Sequence, residues 1–249
     1  MSRNRRINDR WTGVLCLTTG EREAGFDLWQ GMGDFTQERK NGNPGDWQIE
    51  ATEEEVSIRA IQDDKEMVLI AGRQIVSLEK IELLAIGTRH PFENGKPLKV
   101  LLEEVNDHKA VAVIPWGVGK WMGIRGQIVK EMIRHYSSGK FFLGDTGNRP
   151  RFWPKPTLLK EAEKQGIKNL PGSDPLPFPG EYRKPGSYGF ALNGSLDAER
   201  PFKSLQEKLF DPAVEIWHYG ALEKAQRFFR HQLALQYRKH WKRRTPVDL

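Results

Sequence analysis

The sequence predicts an α/β fold, an incomplete or distorted barrel with a small antiparallel insert and a C-terminal helical extension. Three observations lead there. Between residues 111 and 186 a short apolar run followed by a Gly/Pro-rich loop occurs three times, as VAVIPWG, KFFLGD and IKNLPGSD. Helical patterns separate these runs, the signature of βαβ units and a parallel sheet. Residues 47–87 instead read as consecutive short strands rich in β-branched residues, and the last fifty residues read as mainly helical.

Taken in order, GVLCLTT at 13–19 reads as a strand with the polar TTGERE at its carboxyl end, and Gly42 to Asp46 mark a surface loop. WQIEA, VSIRAI, MVLIAGRQIVS and IELLAIG form the antiparallel meander. Pro97 suits a first helical turn, with Leu98, Leu101, Leu102 and Val105 on one face. After VAVIPW the loop GVGKWMG leads to a helix whose apolar face is Ile124, Ile128, Met132 and Ile133. KFFLGD and the loop TGNRPRFWPKP precede a helix through Leu158, Leu159 and Ala162 that stops at Gly166. IKNLPG and SDPLPFPGEYRKPG follow, then SYGFALNG as a last strand and helices over 199–210 and about 213–243. At 249 residues one sizeable core is expected. The division read is a barrel domain at 1–198 and a helical extension at 199–249 packed on it.

The formal net charge of +6 is concentrated in Arg3, Arg5 and Arg6 near the start and Arg238, Lys239, Lys242, Arg243 and Arg244 near the end. Solvated basic ends are the ordinary reading, with binding of nucleic acid or anionic lipid by the basic C-terminal helix as the alternative. Cys16, the one cysteine, has no internal disulfide partner and reads as a buried thiol. The N-terminal residues contain no apolar signal-peptide core, and no run approaches the roughly 20 apolar residues that span a bilayer. The expected location is the cytoplasm, with no membrane partner.

Polar residues of unusual interest gather in the loops after the three repeated runs, where α/β folds place ligands. PWGVGKWMGIRG sets Gly117, Gly119, Gly123 and Gly126 around Lys120 and Arg125 just before a helix, a pattern suited to holding an anion. It is not a Walker A loop, because Trp121 follows the lysine. The alternative is a tight turn whose glycines solve backbone geometry. The second loop offers Asp145, Asn148, Arg149 and Arg151, and the third Asp174, Glu181 and Arg183. Carboxylates from neighbouring strand ends could share a proton or a hard cation, or simply cap turns. The six histidines are scattered with no ligand-pair spacing, and neither a GxSxG elbow nor a nucleophilic triad is present. Of the histidines, His90 in TRHPF is the one expected near the carboxyl end of the sheet.

The order of these segments over residues 13 to about 190 resembles the polymerase and histidinol phosphatase (PHP) superfamily of metal-dependent phosphoesterases. GVLCLTT is similar to that family's Thr-Asp-His strand, IAGRQIV to its Gly-x-Glu-Ile strand and IELLAIG to its His-x-Leu-Gly strand. VAVIPWG is similar to its His-Pro strand, and Gly172, Ser173 and Asp174 to its Gly-Ser-Asp-Ala-His strand. The resemblance implies a distorted (β/α)7 TIM-like barrel, a divalent metal (Zn, Mn or Fe) and hydrolysis of a phosphoester. Asp174 is the ligand position retained. The others hold Thr19, Gly20, Gln74, Ile114 and Leu176, and the opening His-x-His strand has no counterpart, so a homologous longer chain would carry one more N-terminal strand.

The expected function is that of a PHP-like, metal-dependent hydrolase relative acting on a phosphorylated or anionic substrate. Asp145 and Asp174 would be the catalytic carboxylates, with Asp174 on the metal. Gly117, Gly119, Lys120, Arg125, Asn148 and Arg149 would hold the anion. The alternatives are a catalytically inactive scaffold that binds an anionic ligand or protein partner, and a nucleic-acid binder.

Overall fold

The structure is a computed structural model that describes residues 11–20, 25–27, 47–136 and 139–244, with side chains described as far as residue 237. The arginines near the start and the loop at 34–46 lie outside the described residues, as do the side chains of the basic cluster from Arg238 on. The strands are β1 (Gly13–Thr19), β2 (Gln48–Ala51), β3 (Ser57–Gln62), β4 (Lys65–Val76), β5 (Glu82–Ile86), β6 (Val111–Pro115), β7 (Phe142–Gly144), β8 (Tyr188–Leu192) and β9 (Ile216–Gly220). The helices are α1 (Leu98–Asp107), α2 (Ile124–His135), α3 (Thr157–Lys164), α4 (Pro201–Phe210) and α5 (Ala225–Arg244).

Among the described residues β1 to β7 form one mixed sheet, and β8 pairs with β9 in a separate ribbon. The barrel expectation is overturned. The pairings β2–β3, β3–β4, β4–β5 and β5–β6 are all antiparallel, and only β1–β4 and β6–β7 are parallel. The reason is local. A parallel barrel needs a crossover between each pair of strands, whereas β3 turns into β4 at Asp63, in the left-handed region at φ 53, and β4 into β5 through a turn with Lys80 at φ 60. The antiparallel stretch is therefore the body of the sheet and not a small insert.

The long strand β4 organises this sheet. Ala71 donates its N–H to the Val56 carbonyl at 2.8 Å and accepts from the Gly87 N–H at 2.7 Å. Both groups of one strand residue face the same edge, so β3 and β5 occupy successive stretches of one edge of β4. β1 runs along the other, from Gly13 opposite Met67 to Thr19 opposite Arg73. Among the described residues no strand pairing returns from β7 to β1 or β2.

Two apolar layers sandwich β5, β6 and β7. On one face Leu83, Ala85, Ala112, Ile114 and Leu143 pack under α1, α2 and α3 through Leu98, Leu101, Leu102, Val105, Val129, Met132, Ile133 and Leu159. On the other, Val68, Ile70, Val111, Val113 and Phe142 meet Phe202, Leu205 and Leu209 of α4. Burying each Val, Leu, Ile, Met or Phe among them contributes roughly 1.5–3 kcal/mol. The α2 face differs from the expected one, since Ile124 is 74% exposed and Val129 takes the inward position. The helix expected over about 213–243 is also divided: Ile216–Gly220 pairs with Tyr188–Leu192, and α5 starts only at Ala225. Cys16 sits in β1, its thiol pushed up to about 12 by burial.

Candidate functional site

Three parallel extended segments end side by side. β6 pairs with β7, and bridges from Leu143 to Asn169 and from Thr146 to Gly172 add residues 169–172 as the next parallel segment. Their following loops meet at one end of the sheet. Trp116 of the first packs edge-on against Trp153 of the second, with ring centroids 6.2 Å apart. Asn148 of the second bonds Asp174 of the third. The repeated runs of the sequence thus place their polar loops together.

Asp145 and Arg149 meet each other first. Arg149 Nη2 donates to Asp145 Oδ2 at 2.7 Å and Nε to Oδ1 at 3.0 Å, with both side chains buried. The Thr146 N–H and the Tyr188 hydroxyl complete the shell of the carboxylate, at 2.9 and 3.1 Å. Burial opposes the charge on Arg149, yet the hydrogen bonds and charge of Asp145 outweigh it and hold the guanidinium above its ordinary value. Burial, reinforced by Asp145, pushes the Tyr188 phenol up to about 12. Arg149 Nη1 also donates to the Trp153 carbonyl at 2.7 Å, so the pair clamps the loop to β8.

Asp174 lies at the exposed margin with a left-handed backbone, φ 46, a conformation costing a non-glycine residue roughly 1 kcal/mol. Its Oδ2 accepts from Thr146 Oγ1 and Asn148 Nδ2, both at 3.0 Å. Asn148 Oδ1 in turn accepts from Lys184 Nζ. Behind this lies a buried charge cluster: Lys184 pairs with Glu181 at 3.5 Å and Glu223 at 3.4 Å, and Arg227 with both carboxylates. His231 Nε2 stands 3.8 Å from Glu181 Oε1 and its ring stacks on Phe178. The sequence reading named Asp174, Asn148, Arg149 and Glu181 but missed Lys184, Tyr188, Glu223, Arg227 and His231.

Burial works against the Glu181 charge, but the Leu176 N–H, Arg227 and Lys184 prevail and keep its carboxyl below the usual range. Burial lowers His231, partly countered by Glu181. Both folded values lie below the unfolded ones, so the unfolded chain binds more protons on acidification and stability falls with pH. The loss should begin below pH 6.5, where unfolded histidine protonates, and steepen below 4.5 as unfolded glutamate does. Burial also lowers His218, so urea midpoints measured across that range should show both stages, and the upper one should shrink in His231→Gln and vanish only when His218 is replaced as well.

The first loop is built differently. Lys120 Nζ reaches Glu82 Oε2 at 2.5 Å, and Arg125 Nη2 donates to the Gly119 carbonyl at 2.8 Å. Gly117 gives the Lys120 stem its path, since a Cβ there would lie 2.6 Å from Cδ of that side chain. Gly126 admits the Trp121 carbonyl, which would lie 2.4 Å from a Cβ. Trp121 Nε1 is a buried donor with no hydrogen-bond partner. Gly119 and Gly123, both left-handed, face open space.

The implied metal does not fit these side chains. Among the described residues no three His, Cys, Asp or Glu side chains converge as a ligand set. Asp174 stands at the margin, while the oxygens of Asp145 are held by Arg149, Thr146 and Tyr188. His90 stacks on His108, centroids 3.9 Å apart. Among the described residues no helix is long and apolar enough to cross a membrane.

No family model and no curated protein sequence matches this chain. Among solved structures, the chain is similar to the crystal structure of PsfC from Pseudomonas syringae PB-5123. The two are 11% identical, with a TM-score of 0.51, over 92% of this chain and 84% of that one. At that identity the likeness concerns the fold alone.

Proposed function

We propose that this protein binds a small anionic ligand, phosphorylated or carboxylated, where α2 begins at the carboxyl end of β6. The observation behind this reading is the start of α2. Its N-cap is Gly123, no side chain caps it, no acidic residue occupies its first turn, and Lys120 and Arg125 flank it. The unpaired N–H groups of a first turn, together with the helix dipole, favour an anion. Trp121, two residues before the N-cap, offers an indole through which binding can be followed. A phosphate analogue titrated against indole fluorescence should bind with a Kd raised about tenfold or more in Arg125→Ala and in Lys120→Ala. Glu82→Gln should tighten binding, because the carboxylate competes for Lys120. Affinity unchanged in all three variants would overturn the assignment. The cytoplasm is the proposed location.

A hydrolytic second reading is favoured by one feature, the strained backbone of Asp174, whose carboxylate is held by Thr146 and Asn148 of the neighbouring loop. Here Asp174 would act as the acid/base carboxylate. Elemental analysis of the purified protein and of Asp174→Asn separates the two readings. Stoichiometric Zn, Mn or Fe lost in the variant would support metal-dependent phosphoester hydrolysis. Metal-free protein with no phosphoester turnover would leave ligand binding without hydrolysis.

A further inference from the structure

On the face of the sheet that carries α1, β4 passes between two apolar clusters. Leu69 and Ala71 pack with Phe26, whereas Ile75 packs with Leu83 and Phe92. Arg73 stands between them on the same face, since alternate residues of a strand share a side. It lines two cavities. The larger, about 50 Å³, is bounded by Arg73, Gln74, Ile75, Pro91 and Phe92. That volume has room for about three to five atoms or groups the size of a water. The smaller, about 10 Å³, has Thr19, Asp27, Thr88 and Arg89 in its wall beside Arg73.

The bonding of Arg73 leaves its charge unmatched. Its Nε and Nη2 donate to the Arg89 carbonyl at 3.3 and 3.0 Å, and among the described residues no carboxylate pairs with it. Asp27, the acid in the wall of the smaller cavity, is engaged with Arg89 at 2.9 Å. Other half-buried arginines are matched: Arg59 pairs with Glu50 and Glu66, and Arg227 with Glu181 and Glu223. Of the five guanidinium N–H groups of Arg73, three remain to donate. Thr88, 6% exposed, accepts the His90 N–H through Oγ1 at 3.1 Å and keeps its own hydroxyl hydrogen. We propose that the cleft at Arg73 binds the oxyanion head, carboxylate or phosphate, of a small ligand. The guanidinium fork matches two oxygens of either group. A cation half withdrawn from water gains more from a charged acceptor than from a carbonyl. The Thr88 hydroxyl adds a neutral donor, and Pro91 and Phe92 form an apolar wall for the atoms that follow the head. None of these residues belongs to the start of α2, so the two anion sites stand or fall separately.

The test is titration of the full chain with inorganic phosphate and, separately, with acetate, while the arginine Nε–H signals are followed by ¹⁵N NMR. The Arg73 signal is identified by its loss in Arg73→Lys, and it reports this site without interference from Lys120 and Arg125. It should shift saturably with at least one of the two anions. Saturation by phosphate alone assigns a phosphorylated ligand, by acetate alone a carboxylate, and by both the shared oxyanion chemistry. Sodium chloride at equal ionic strength should not reproduce the shift. In Thr88→Val, whose remaining spectrum shows that the fold is kept, the Kd read from the same signal should rise about threefold or more. An Arg73 signal that neither anion moves in the wild-type chain would overturn the proposal. So would a shift that chloride matches, or a Kd that Thr88→Val leaves unchanged.

Discussion

Arg149→Met should lower stability by about 3–5 kcal/mol, the cost of leaving a buried carboxylate without its counter-ion. The side chains of Asp145 and Arg149 are 1% and 8% exposed, so water cannot replace the lost bonds. Tyr188 alone would remain as a side-chain donor to Asp145, with its hydroxyl at 3.1 Å. The Arg149 bond to the Trp153 carbonyl would vanish as well, freeing the loop that packs on Trp116. Because much of the cost is an unpaired charge, removing both partners should be milder: Asp145→Leu/Arg149→Met should recover part of the loss, as removing both members of a buried pair often does. Urea unfolding of the two single variants and the double variant gives the coupling directly. A cost below about 1 kcal/mol for Arg149→Met would show that the pair is not a structural clamp.

Much of this end of the protein was legible because its signals are local. The runs at 111–115, 142–144 and 169–172 are short, apolar and bounded by glycine or proline, and the structure aligns all three in parallel. The helices at 98–107, 157–164 and 201–210 follow from period and capping residues alone. The fold class was not legible, because it depends on which edge each strand uses. Strands over 47–87 were recognisable one by one, but nothing near Ala71 in sequence shows that β3 and β5 share an edge of β4. IWHYG at 216–220 was absorbed into a helix because Ile216, Leu222 and Ala225 tolerate a helical period. Its aromatic residues and Gly220 suit the strand that pairs with β8.

The site divides in the same way. Asp145, Asn148, Arg149 and Asp174 could be read from loops that follow strands. Their partners could not, since Lys184 lies 36 residues from Asn148, Tyr188 lies 43 from Asp145, and Arg227 lies 46 from Glu181. No spacing rule links such positions. The glycines around Lys120 illustrate a different ambiguity: the motif reads as an anion cradle, and Gly117 and Gly126 also have packing reasons to lack a side chain.

Gly87→Ala should be nearly as damaging, at roughly 2–4 kcal/mol, for reasons of space and backbone together. Gly87 ends β5 in the left-handed region at φ 82 while its N–H closes β5 onto Ala71. A Cβ at this position would lie 1.8–2.3 Å from three atoms of the Phe202 ring, so the ring must move. Phe202 cannot retreat cheaply. It is buried with Leu205 and Leu209 against β4, β6 and β7, and its N–H is held by Glu54 Oε2 at 2.8 Å. Left-handed strain adds roughly 1 kcal/mol for any residue with a Cβ. The two parts are separable: Gly87→Ala/Phe202→Leu should regain the steric share and keep the backbone share. If Gly87→Ala unfolds at the wild-type urea concentration, α4 does not press on the end of β5. The second core layer would then be free to shift independently of the β4–β5 junction.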